Sequence, residues 1–146
     1  MFINQEVLVI SGDTWNVNPI ALKRIEALFC KNERAVLPLE LAIPGSYITL
    51  VPVAAILVAS IRLHFIPSPL TLRYDGAAEI FCDTGFTKGE ELGYFESGST
   101  IVVFASEEFE FSNNVVEGST IRAGEAIFRH PDRFHTSVGE NDEQFD

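Results

Sequence analysis

The side chains that would support nucleophilic or metal chemistry in this chain are two cysteines, three histidines and two serines set in Gly-Ser-Thr triplets. Cys30 and Cys82 lie far apart and match no metal-ligand spacing, so buried, reduced thiols are expected. His130 and His135 bring no third ligand with them, so they make no zinc site and no metal is expected. His64 falls near the end of a predicted strand and reads as a half-buried structural histidine. Gly98-Ser99-Thr100 and Gly118-Ser119-Thr120 each offer a hydroxyl, which becomes a nucleophile only when its surroundings activate it. Taken alone, the triplet is a common way to leave a turn and enter a strand. The second copy, between Glu117 and a short apolar piece at Ile121, reads as such a turn.

The framework that must position these residues is written in the rest of the chain. Its 146 residues suffice for one domain with a real core, and 47% hydrophobic content excludes disorder over most of the length. A net charge of −11 argues against a nucleic-acid partner, whose phosphates need a basic surface. Lys23, Arg24, Lys31 and Arg34 form the one basic cluster and read as a solvated helix face. Residues 41–61 carry no charge over about the length of a bilayer span. Pro44, Gly45 and Pro52 interrupt that stretch, and its Val, Ile, Thr and Tyr favour two buried strands. The start lacks the basic region and apolar core of a signal peptide. Neither a signal peptide nor a transmembrane helix is expected. A cytoplasmic location follows, with peripheral membrane contact left open.

Asn18-Pro19 opens a helix, because Asn caps free N–H groups and Pro suits the first helical position. Ile20, Ala21, Leu22, Ile25, Leu28 and Phe29 recur at spacings of three and four, which predicts one helix over about residues 19–31. Strands are predicted over 6–10, 35–41, 47–53, 56–65, 77–81, 93–95, 100–104 and 109–111, with short pieces near Ile121 and Ile127. Pro67-Ser68-Pro69 forms a rigid connection. Two stretches repeat, Thr87 to Leu92 and Ile121 to Ile127, each placing Gly where a tight turn demands positive φ. The expected fold is mainly β (α+β): a compact, double-layered β-sandwich or barrel-like domain over residues 1–138, with one helix in its N-terminal half. Residues 139–146 read as an acidic, frayed tail.

The first triplet belongs to a longer string, Lys88-Gly89-Glu90-Glu91-Leu92-Gly93-Tyr94-Phe95-Glu96-Ser97-Gly98-Ser99-Thr100, which leads into Ile101-Val102-Val103-Phe104. Other pieces stand in order around it: Gly12-Asp13, Val17-Asn18-Pro19, Phe29-Cys30-Lys31-Asn32-Glu33-Arg34, Val51-Pro52-Val53-Ala54-Ala55 with Val58-Ala59-Ser60-Ile61, and Arg122-Ala123-Gly124-Glu125. Together they resemble the phosphatidylserine decarboxylase family, in which "K-G-E-E-x-G-x-F-x-x-G-S-T" precedes a hydrophobic strand. Ala54 and Ala59 stand where that family usually has Gly.

The resemblance implies a self-processing, pyruvoyl-dependent decarboxylase: a carbon–carbon lyase of phospholipid biosynthesis, made as a zymogen. Ser99 would attack the Gly98 carbonyl and turn the amide into an ester. Gly98 would remove bulk at the attacked carbon and permit unusual backbone angles, and Thr100 would pin the turn. Elimination and hydrolysis would split the chain between Gly98 and Ser99 and leave a pyruvoyl group in place of Ser99. That carbonyl takes an amine substrate and accepts the electrons left when carbon dioxide departs. No metal or separate cofactor is implied. The substrate implied is phosphatidylserine, converted to phosphatidylethanolamine, or a related amine acid; a homo-oligomer stays open. Leu28 and Phe29 are a candidate lipid-facing surface beside the plainer reading of core packing.

The family also carries an aspartate and a histidine upstream of the stretch matching residues 8–20, where this chain begins. His130-Pro131-Asp132-Arg133-Phe134-His135-Thr136-Ser137-Val138-Gly139 resembles that upstream segment. In a circular permutation, Asp132 would take the place of the aspartate and His135 that of the histidine. Two readings therefore stand. One is an active enzyme with His135 as base, and the other a catalytically inactive, truncated member acting as a binding or scaffold module.

Overall fold

Alternation decides the layers. Along residues 34–40 every second side chain is apolar and buried (Ala35, Leu37 and Leu39), as a strand with one covered face requires. In the computed structural model, which describes residues 2–55, 60–71 and 74–131, this strand is β2 (Arg34–Glu40) of a five-stranded antiparallel sheet. Its neighbours are β1 (Phe2–Ile10) and β3 (Tyr47–Val53), with β6 (Glu79–Gly85) beyond β1 and β8 (Thr100–Ala105) beyond β3. A second sheet of three strands has the order β5-β4-β7: β5 (Leu70–Thr71), β4 (Ser60–Leu63) and β7 (Gly93–Phe95).

Val7, Val9, Ala35, Leu37 and Leu39 from the first sheet share one core with Ile61, Leu63 and Leu70 from the second. Ile66 and Phe86 complete it. The two layers are the mainly β architecture that the sequence predicts. Among the described residues no helix is long and apolar enough to cross a membrane. These elements form one compact unit, Met1–Ala105. A second unit, Ser106–Asp146, pairs β9 (Glu110–Phe111) with β10 (Phe128–Arg129). In it Phe111 stacks on Phe128, Phe109 meets His130 edge-on, and Arg129 pairs with Glu110 at 2.9 Å.

Several expectations need correction. The single helix over 19–31 is two: α1 (Pro19–Arg24) and α2 (Leu28–Lys31). The Asn18 cap forms as expected, its side chain accepting the Ala21 N–H at 2.8 Å. Ile25 then leaves helical geometry, and Ala27 turns left-handed at φ 52°. α1 has no fully buried residue, and six residues are too few to propagate alone. The break delivers Leu28 into the core, so Leu28 is not a lipid-facing residue. Cys30 is exposed rather than buried, while Cys82 is half-buried and burial pushes its thiol up. The piece near Ile121 is a turn region without a strand, β6 lies further along than 77–81, and β5 was not anticipated. Of the strand placed at 56–65, the described part is β4; residues 56–59 lie outside the described set.

Candidate functional site

The geometry around the first triplet begins with a fully buried asparagine. Asn32, placed by the end of α2, accepts the Trp15 N–H at 3.0 Å and donates to the Trp15 carbonyl at 2.8 Å. The same amide donates to the Ala54 carbonyl at 2.9 Å, so one side chain ties together three segments distant in sequence. Asp13 joins the arrangement through its backbone, donating to the Lys31 carbonyl and accepting from Glu33 N–H, both at 2.8 Å. The chain comes this close because residue 12 is glycine: a Cβ there would lie 2.4 Å from the Lys31 carbonyl oxygen. Arg34 closes the junction with hydrogen bonds to the Cys30 and Asn32 carbonyls at 2.7 and 2.9 Å.

This knot fixes the end of β3. The Ala54 N–H donates to the Glu33 carbonyl at 2.8 Å, and Arg34, Val53 and Thr100 lie opposite one another across β2, β3 and β8. Ser99 immediately precedes that rung. Its Oγ, partly buried, donates to the Val53 carbonyl at 2.5 Å. Thr100 begins β8 opposite Val53. Gly98 is exposed, a Cβ on it would meet nothing within 4 Å, and its φ lies outside the left-handed region. Just upstream, Glu96 pairs with Arg62 Nε at 2.7 Å, and that hydrogen bond holds its carboxyl below the usual range.

His64 is exposed rather than half-buried, and pairs with Glu91 at 2.7 Å beside the Tyr94 ring. His135 and Asp132 lie outside the described residues. Among the described residues no three His, Cys, Asp or Glu side chains gather as a metal site would need. The second triplet sits in a turn, where Ser119 Oγ donates to the Val116 carbonyl at 2.7 Å.

Two features escaped the sequence reading. The Asn32 clasp is one; its motif is visible in the sequence, but its partners at 15 and 54 are not. The other is an apolar cavity of about 280 Å³ between the two sheets of the first unit, walled by Leu37, Leu50, Pro52 and Ile101 on one side and Ile61 and Phe95 on the other. No sequence pattern announces a gap between layers.

Comparison with known proteins bears on the family of the chain. The family model described as phosphatidylserine decarboxylase matches residues 2–129. The phosphatidylserine decarboxylase proenzyme of Psychromonas ingrahamii is 34% identical over 126 residues, covering 83% of this chain and 43% of its own length. That of Shewanella frigidimarina is 33% identical, covering 82% and 44%. Phosphatidylserine decarboxylase proenzyme 2, mitochondrial, of Schizosaccharomyces pombe is 28% identical, covering 80% and 25%. The chain thus spans less than half the length of these relatives. No solved structure matches it.

Proposed function

The chain belongs to the phosphatidylserine decarboxylase family, and from that premise we propose that it is a self-processing, pyruvoyl-dependent decarboxylase whose reactive residue is Ser99. The observation that carries the reading is the hold on Ser99: its hydroxyl is tied across the sheet to Val53, beside a junction locked by Asn32. A hydroxyl fixed in place beside an uncrowded glycine suits attack on the preceding carbonyl.

In this reading Ser99 Oγ adds to the Gly98 carbonyl carbon and the peptide nitrogen leaves as an amine, so an ester replaces the amide. Elimination then frees the Gly98 carboxylate and leaves a dehydroalanine at position 99; water converts this to a pyruvoyl group and ammonia. The residues present suit that outcome, since Gly98 is open to solvent and Ser99 is held at the edge of the core. Once formed, the pyruvoyl carbonyl supplies an electron sink for loss of carbon dioxide from an amine-bearing acid. The relatives' names carry phosphatidylserine over as the proposed substrate, with phosphatidylethanolamine as product. Asp132 and His135 supply the base in this reading, and His135→Ala then slows splitting by about 10²–10⁴-fold.

Intact-mass spectrometry of the denatured chain, beside Ser99→Ala, is the test. Two fragments divided between Gly98 and Ser99, the later one blocked as pyruvoyl, are expected from the unsubstituted chain alone. A single full-length mass in both would leave a family scaffold without self-processing.

A further inference from the structure

With a net charge of −11, two copies of this chain repel over most of their surface. Two patches of the first unit depart from that average, one basic and one acidic, and each surrounds apolar side chains left in solvent. The basic patch is α1 with the residues on either side of it. Trp15, Ile20 and Leu22 are exposed, Ile20 at 64%, and α1 has no buried residue. Lys23 and Arg24 close its last turn, and Lys31 is exposed at the end of α2. From Ile20 to Lys31 the one acid is Glu26, so that stretch is net positive in a strongly negative chain.

The acidic patch is the outer face of β1 and β6. Val7 and Val9 point into the core, so Glu6 and Leu8 point away from it. In the antiparallel ladder Glu6 lies opposite Phe81 and Leu8 opposite Glu79, and alternation puts Asp83 on the same face. β6 is an edge strand of its sheet, and Phe81 is 82% exposed. The two strands hold three acids, Glu6, Glu79 and Asp83, and no base. Acids guarding an open edge account for Glu79 and Asp83. They do not account for a phenylalanine standing in solvent between them.

We propose that α1 of one copy docks on the outer face of β1 and β6 of a second copy. Trp15, Ile20 and Leu22 then cover Phe81 and Leu8, while Lys23 and Arg24 face Glu6, Glu79 and Asp83. The proposal is independent of the reading of Ser99, which lies in neither patch. Like patches would bring like charges together, so the contact joins unlike surfaces: each copy offers one and receives the other. Aromatic residues and arginine are the side chains that protein interfaces favour, and the two patches supply Trp15, Arg24 and Phe81. An anionic lipid surface would engage the basic patch alone and leave the Phe81 face without a role. A second copy uses both.

The test uses the full-length Ser99→Ala chain, so that splitting does not alter the mass. Sedimentation velocity over a concentration series should show species heavier than the 16.2 kDa of one chain. Lys23→Glu with Arg24→Glu, and separately Glu79→Lys with Asp83→Lys, should each weaken association by roughly tenfold or more. Phe81→Ser should do the same with no change of charge. All five positions are exposed, so circular dichroism and Tm should stay those of the parent chain. Mixed one to one, the two charge-reversed chains should assemble again. The acidic α1 of one then meets the basic sheet face of the other, and the remaining two surfaces are native. A parent chain that stays single at every concentration overturns the contact. So do charge-reversed chains that assemble as well as the parent, or a mixture that does not recover. Binding to phosphatidylglycerol vesicles that Lys23→Glu with Arg24→Glu abolishes, in a chain that otherwise stays single, assigns the basic patch to a membrane and also overturns it.

Discussion

The same three residues, Gly-Ser-Thr, occur twice in this chain and are built into two different structures. At 118–120 every bond is local. Gly118 takes φ 81°, Ser119 N–H donates to the Val116 carbonyl at 3.0 Å, and Ser119 Oγ accepts the Val116 N–H at 3.3 Å. At 98–100 the glycine stays out of the left-handed region, and the serine hydroxyl reaches a carbonyl 46 positions away. The second triplet is one of a set. Thr87–Glu90 and Arg122–Glu125 have the same four-residue turn with Gly in its third place, at φ 91° and 87°, and a Glu carboxylate accepting the first N–H at 2.9 and 3.0 Å. Ser119 fills the carboxylate's role in that turn with a hydroxyl. The lesson is that the triplet carries no fixed meaning: a serine satisfied inside its own turn closes that turn. A serine held by a distant strand is presented to whatever reacts there.

The largest expected effect comes from removing what anchors the first triplet and not the second. Asn32→Ala removes a fully buried side chain and leaves the buried Ala54 carbonyl, with the part-buried Trp15 N–H and carbonyl, without their partner. A loss of about 2–4 kcal/mol and a fall in Tm of roughly 5–15 °C should follow in thermal melts. An unchanged Tm would mean that the knot beside Val53 does not hold the site.

Next in size is an alanine placed at each glycine. Gly118→Ala forces a left-handed backbone on a residue with a Cβ, costing about 1–2 kcal/mol. Gly98→Ala meets no atom within 4 Å and needs no left-handed geometry, so its stability should change by less than about 0.5 kcal/mol. Chemical denaturation of both variants measures the contrast. Equal losses would erase it. If Gly98→Ala is stable yet splits more slowly, the effect belongs to the attacked carbonyl rather than to folding.

Much of the frame behind this comparison was legible in the sequence. β3 and β7 fall on the residues predicted; for β3 the signal is an uncharged run rich in Val, Ile, Thr and Tyr that follows Pro44-Gly45. The Asn18 cap was legible for a similar reason, since it acts within three residues. The turn character of the second triplet was legible too, its bonds being local. Contacts made across the fold were not. Nothing near Asn32 reveals that Trp15 and Ala54 complete it, nothing near Ser99 names Val53, and the left-handed Ala27 that splits the helix is a residue type that rarely adopts such a φ. The two-residue β5 is too short to show any periodicity.

The smallest expected effect sharpens the comparison from the approach to the first triplet. Glu96 lies three residues before Ser99, and the Arg62 hydrogen bond lowers its carboxyl from 4.5. A carboxyl depressed in the folded state contributes stability above its unfolded value and loses it as pH falls through the folded one. Arg62→Ala should therefore matter slightly at neutral pH and not at all in strong acid. Both groups are solvent-exposed, so salt should weaken even that. A carbon-detected NMR titration should show the Glu96 midpoint return toward 4.5 in Arg62→Ala. Splitting at Ser99 should keep its rate, because the Ile61–Phe95 pairing of β4 with β7 and the Glu96 N–H to Ser60 carbonyl bond hold this approach without the ion pair. A rate that fell together with the restored midpoint would show that the charge at Glu96, and not only the backbone, helps set the first triplet apart from the second.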